Sequence, residues 1–153
     1  TMYLVMISAL MLVLPLLSIG IDAVAAHAPL NAALVLKWFV FWSVGLRLFL
    51  AGLRQMTKPE FTIQKILGQT SMDALVFVRE LGFANTAMGA VGLASLALPA
   101  WRLPIGVAAA IFLGLAGIHH LMQKHRNRME NVAMVSDLFV ALVLAGCCLA
   151  MAA

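Results

Sequence analysis

Residues 2–21 read MYLVMISALMLVLPLLSIGI, a run without one charged side chain. A hydrocarbon core about 30 Å thick is crossed by a helix of roughly 20 apolar residues. This stretch alone therefore predicts a membrane span, ended by Asp22. Ala23-Val24-Ala25 has the small-residue pattern of a signal-peptide cleavage site. No basic residue precedes the apolar run, however, and a signal's n-region needs one. A retained span is the expectation.

Four more apolar stretches follow, at about 32–53, 74–98, 105–122 and 132–152. The fold class expected is all-α: a polytopic transmembrane bundle of five spans, forming one domain over residues 1–153. Composition agrees. Of 153 residues, 64% are hydrophobic and 10% charged, where a soluble domain has about 45–50% and 25%. Mean hydropathy is +1.04. A soluble enzyme, a disordered chain and a disulfide scaffold are excluded. Cys147 and Cys148 are adjacent, so on a helix they point about 100° apart and build neither a disulfide framework nor a metal motif.

The net charge of +4 comes from basic residues that flank the spans, which suits anionic headgroups rather than nucleic acid. Arg54, Lys58 and Lys65 lie in the second loop, and Lys124, Arg126 and Arg128 in the fourth. Arg102 is alone in the third, and the first has none. The positive-inside rule then puts the N-terminus in the cytoplasm and the C-terminus outside. Pro99 and Pro104 bracket a short turn that should pair spans three and four closely. Thr57-Lys58-Pro59-Glu60 predicts a helix start, with Thr57 as N-cap and Glu60 at the third position. Phe61, Ile63, Ile66 and Leu67 supply an apolar side, so a short interfacial helix ending near Gly68 is expected.

Small residues mark packing faces. Gly106, Ala110, Gly114 and then Gly117 recur in span four; Gly82, Asn85, Gly89 and Gly92 do so in span three. That spacing lets helix backbones approach in lipid.

Charges inside spans are the candidate functional residues, because each costs about 2.5–3.5 kcal/mol at a helix centre and faces the bundle interior or a partner. They are Arg47, Arg79, Glu80, His119, His120, Glu130 and Asp137, with Asn85 as a polar neighbour. Arg47 and Arg54, Asp73 and Glu80, and Glu130 and Asp137 are each seven residues apart, which places each pair on one helix face. Chain order brings Arg47, Glu80, His119 or His120, and Asp137 to a similar depth in the cytoplasmic half. Two readings follow. One is an ion-pair network (Arg47 or Arg79 with Glu80 and Asp137) that fixes register. The other is a ligand pocket in which histidine adds a group titrating near neutrality. No metal centre is expected: the Glu-x-x-His spacing of di-iron bundles is absent, and His27 and His125 are placed wrongly for haem. Trp38, Trp42 and Trp101 fit an outer aromatic belt.

Gly45-Leu46-Arg47 with Ala51-Gly52-Leu53, and Arg79-Glu80-Leu81-Gly82-Phe83-Ala84-Asn85 with Met88-Gly89, resemble the DoxX-like superfamily of small bacterial membrane proteins. The second segment, Gly117-Ile118-His119-His120 and Asn127 to Asp137 are more similar to an uncharacterised bacterial membrane family. The resemblance implies a four-helix core plus an extra N-terminal span, with the superfamily's glutamate at Glu80 and its arginine at Arg47. It also implies a bacterial inner-membrane setting, in which the outward C-terminus expected from the loop charges is periplasmic. DoxX relatives include a subunit of a thiosulfate:quinone oxidoreductase, but no redox cofactor motif is present here. The function expected first is binding of a small amphipathic ligand, quinone- or lipid-like, with proton transfer by His and Glu. An accessory or assembly subunit of a larger membrane complex, or a homo-oligomer, is the alternative. A small transporter or proton conductor is a third; no inverted repeat or broken helix supports it.

Overall fold

The computed structural model describes residues 2–66 and 74–153. Every regular element among the described residues is helical. Helix α1 runs Tyr3–Ala25, α2 Ala32–Thr57, α4 Leu75–Ala94, α5 Arg102–Met122 and α6 Arg128–Ala152. A short α3 begins at Pro59–Phe61 and continues in a wider turn over Thr62–Ile66. Four stretches, α1, α2, Pro99–Met122 and α6, are long and apolar enough to cross a membrane. The third expected span, α4, is a helix too, but Arg79, Glu80 and Asn85 dilute its hydropathy and it falls outside that set.

Several boundaries move for identifiable reasons. Asp22 does not end α1. Its carboxylate accepts from Lys37 Nζ at 2.6 Å and Trp38 Nε1 at 3.0 Å, so it is matched without leaving the helix, which runs on to Ala25. Pro104 lies in the first turn of α5, where a missing N–H breaks no helical bond. Helix α6 starts four residues early, because Asn127 Oδ1 accepts from Glu130 N at 2.9 Å as an N-cap. Thr57 is not an N-cap. It closes α2, its hydroxyl donating back to Leu53 O at 2.8 Å. Gly68, the expected end of the short helix, and Asp73 lie outside the described residues.

The small-residue faces pack as their spacing predicts, with partners that chain order alone does not give. Helix α4 packs chiefly on α2, and α5 chiefly on α6. A Cβ on Gly92 would come within 2.8 Å of Gly45, one on Gly89 within 2.4 Å of Phe49 N, and one on Gly52 within 2.6 Å of Gly82 O. Those approaches exist only because the side chains are hydrogens. Gly117 does the same against Leu138. Helices α4 and α5, joined by the short turn, touch only sparsely elsewhere, which corrects the expectation of a tight pair.

Leu36, Val40, Val44, Leu113, Val140 and Leu144 fill the centre of the bundle. The outward faces are apolar as well: Val24, Phe77, Leu115, Leu142 and Leu149 are all exposed. A chain apolar inside and outside is suited to lipid, where the helical backbone satisfies its own polar groups. Helices α1 and α2 each contain a π-type wide turn, at Ala9–Val13 and Val40–Leu46. The two meet where Ser43 Oγ donates to Leu10 O at 3.1 Å. Arg47 follows directly after the second.

Candidate functional site

The end of the bundle beyond that contact holds a cavity of about 410 Å³, within the usual size range of small-molecule sites. Its walls come from all six helices. Arg47, Arg54 and Gln55 of α2, Asn85 of α4, His120 of α5 and Asp137 of α6 give it polarity; Met6, Ile7, Leu48, Leu81, Phe112 and Leu113 keep most of it apolar. Thr62 of α3 closes one side and is itself buried. The short helix is thus a wall of the cavity as well as a surface element.

Three pairings organise the polar groups. The Arg47 guanidinium ion-pairs with Asp137 and donates to Ser136 Oγ at 3.1 Å. Arg47 and Asp137 are each 8% exposed. His120 Nδ1 and Glu130 Oε1 lie 3.1 Å apart, with Glu130 buried. Asn85 Nδ2 donates to Gln55 Oε1 at 2.8 Å. At the rim, the Arg54 guanidinium lies 3.6 Å from the centre of the Phe61 ring, a stacking cation–π contact. Arg54 is exposed and has no acidic partner among the described residues.

Among the described residues, two buried atoms are left without a hydrogen-bond partner: Arg47 Nη1, a donor, and Asn85 Oδ1, an acceptor. An unmade buried bond costs about 1–3 kcal/mol. Both residues line the cavity, so the pocket carries unmet demand of both signs.

Of the residues expected at the site, Arg47, Asn85, His120 and Asp137 line one cavity, and Glu130 stands directly behind His120. The others are elsewhere. His119 is exposed and contacts Gln123 Nε2 at 3.1 Å. Arg79 and Glu80 are exposed on the outer side of α4. Glu80, to which the DoxX-like resemblance assigns the superfamily's glutamate, therefore does not face this cavity. Arg54, Gln55, Tyr3 and Thr62 line it unannounced. For Arg54 the signal was present in its seven-residue spacing from Arg47; Gln55, Tyr3 and Thr62 had none. At the far end of α1 and α2, Trp42 Nε1 donates to Ser18 Oγ at 2.9 Å beside the Asp22–Lys37–Trp38 cluster. Trp38 and Trp42 are thus tied to α1 by hydrogen bonds. Among the described residues, no three of His, Cys, Asp and Glu come close enough to hold a metal ion.

The chain belongs to a family of unknown function (DUF6790), which matches residues 1–153. That agrees with the resemblance to an uncharacterised family; the match carries no DoxX-like relationship. No curated protein and no solved structure matches the chain.

Proposed function

We propose that this member of a family of unknown function is a membrane-embedded binding protein for a small amphipathic molecule, quinone- or lipid-like. The observation that carries the reading is a pair of buried atoms, Arg47 Nη1 and Asn85 Oδ1, that have no hydrogen-bond partner among the described residues and belong to side chains lining a mostly apolar cavity. A polar head group meets those atoms and an apolar tail meets Leu48, Leu81, Phe112 and Leu113. The His120–Glu130 pair, at the cavity wall, is the group suited to proton transfer. In this reading α4 is a fifth span, supported by its glycine-by-glycine contact with α2. On the same reading the cavity lies in the cytoplasmic half of a bacterial inner membrane with the C-terminus periplasmic, an orientation that the distribution of basic loop residues supports. A DoxX-like ancestry rests only on the segments around Arg47 and Arg79–Asn85.

Native mass spectrometry of the detergent-purified protein tests this. A discrete small-molecule adduct is expected, and it should be lost in Ala116→Phe, which fills the cavity from a half-buried wall position. Bare protein in both samples would refute the reading. A second role, as a subunit of a larger membrane complex, is favoured by the outer face of α4. There Arg79 and Glu80 are exposed among Val76, Phe77 and Phe83. Charges at a lipid-facing position are costly, and a partner helix would match them. Cross-linking from position 80 in native membranes checks it: capture of a specific neighbour supports the role, and lipid alone argues against it.

A further inference from the structure

We infer that the molecule taken by this cavity is a neutral amphiphile with a hydroxyl head group, rather than an anion or an acceptor-only carbonyl compound. The inference rests on the cavity being a ligand site, as proposed above.

Charge comes first. The buried arginine is already neutralised, because Asp137 pairs with Arg47. Glu130 stands against His120. Among the described residues that line the cavity, Arg54 is the cation without an acidic partner, and it is exposed at the rim. An anionic head reaching Arg47 would meet the Asp137 carboxylate and leave water without gaining an unpaired positive charge, which is unfavourable in a low-dielectric interior. The interior therefore selects a neutral head.

Hydrogen-bond demand comes second. Arg47 Nη1 needs an acceptor and Asn85 Oδ1 needs a donor. A ketone or quinone carbonyl only accepts, and leaves the Asn85 oxygen unmet. A hydroxyl accepts and donates. The helix register sets the two demands at similar depth. Gly45 lies against Gly92, Phe49 against Gly89 and Gly52 against Gly82, so Asn85 comes level with about the middle of 49–52, roughly one turn (~5 Å) from Arg47 along the axis.

Apolar surface comes third. Water satisfies the same two atoms, but gains nothing from Leu48, Leu81, Phe112 and Leu113. An alcohol with a hydrocarbon tail replaces that water and also buries its chain. The sparse contact between α4 and α5, whose residues Leu81, Phe112 and Ala116 line the cavity, gives the tail a route toward the bilayer.

The test uses the full-length protein in nanodiscs and four probes of equal chain length: dodecanol, dodecane, the methyl ketone and dodecanoate. Binding is read by native mass spectrometry and by competition against the alcohol. Dodecanol should bind at least about tenfold tighter than dodecane and several-fold tighter than the ketone, the value of one to two net hydrogen bonds. Asn85→Leu should erase the advantage over the ketone, while Glu80→Gln, outside the cavity, should leave it. The wild-type ranking alone is decisive if Asn85→Leu does not fold. A ketone bound as well as the alcohol overturns the inference; it would mean that Asn85 and Gln55 present their amides reversed. Dodecanoate bound tightest also overturns it, and points to Arg54 and an anionic lipid. In both cases the binding function itself survives. Equal binding of all four overturns the head-group argument. No binding by any overturns both, leaving the cavity to water.

Discussion

The Arg47–Asp137 pair offers a way to separate what holds this bundle together from what the bundle holds. Both residues are 8% exposed, and the guanidinium has Ser136 Oγ as a second partner. Asp137→Leu leaves a buried guanidinium that cannot shed its charge, since arginine stays protonated. Breaking a buried pair from one side costs about 3–5 kcal/mol, because an uncompensated charge remains. Arg47→Met should cost a similar amount. The double variant Arg47→Met with Asp137→Leu removes both charges. It should recover most of the loss, since apolar replacement of a buried pair is often neutral or better. Ser136 tolerates the change, because its hydroxyl keeps its bond to Ala133 O at 2.8 Å. The coupling energy expected from the cycle is therefore about 3 kcal/mol or more. Reversible unfolding in mixed micelles measures it. If the double variant costs the sum of the two single ones, the residues are not coupled and the pairing is wrong. The same double variant should fold yet lose the small-molecule adduct, because the donor at Arg47 Nη1 has gone.

Three further outcomes follow from particular contacts. Gly89→Ala should destabilise by about 1–3 kcal/mol, because its Cβ would sit 2.4 Å from Phe49 N, and two backbones must separate; Gly114→Ala, whose Cβ would rest 3.7 Å from Ala141 Cβ, should be neutral in the same unfolding assay. Asn31→Ala should cost about 1 kcal/mol, since Asn31 Oδ1 accepts from Leu34 N at 3.0 Å as the cap of α2; Asn31→Asp should retain most of that by the same assay. Asp22→Ala, with Trp42 and Trp101 replaced by Phe, should shift the Trp38 emission, because the indole N–H loses its 3.0 Å partner. An unchanged spectrum would place Trp38 away from Asp22.

Much of the fold was legible because membrane helices advertise themselves. The lack of charge in 2–21 and the length of the other runs are consequences of the solvent, and lipid tolerates few alternatives. Which helices pair was less legible. The glycine stripes of α4 and α5 were visible, but their partners Gly45, Gly52 and Leu138 sit on helices whose own patterns are weak. The caps at Asn31 and Asn127 act locally, yet a single Asn before an apolar run is too common to single out. The Asp22–Lys37–Trp38 cluster needs a helix-to-helix distance, which no pattern within one segment supplies.

The expected site residues that lie outside the cavity differ from those inside it in azimuth rather than in depth. Gly82, Asn85, Gly89 and Gly92 form one stripe, and they are the buried positions of α4 with Val78. At 100° per residue, Glu80 lies about 160° from the centre of that stripe and Arg79 about 100° from it. A stripe packed on α2 must therefore turn Glu80 outward and leave Arg79 to the side, as observed. The same count separates the two histidines. His120 follows buried Leu113 by seven residues and shares its face, whereas His119 is turned about 120° away. Residues at the right depth converge only when they also share the azimuth of the packing face. Asn85, Arg47, His120 and Asp137 meet both conditions, which is why the cavity is built from them, and why Glu80, at the expected depth but on the opposite azimuth, stands outside it.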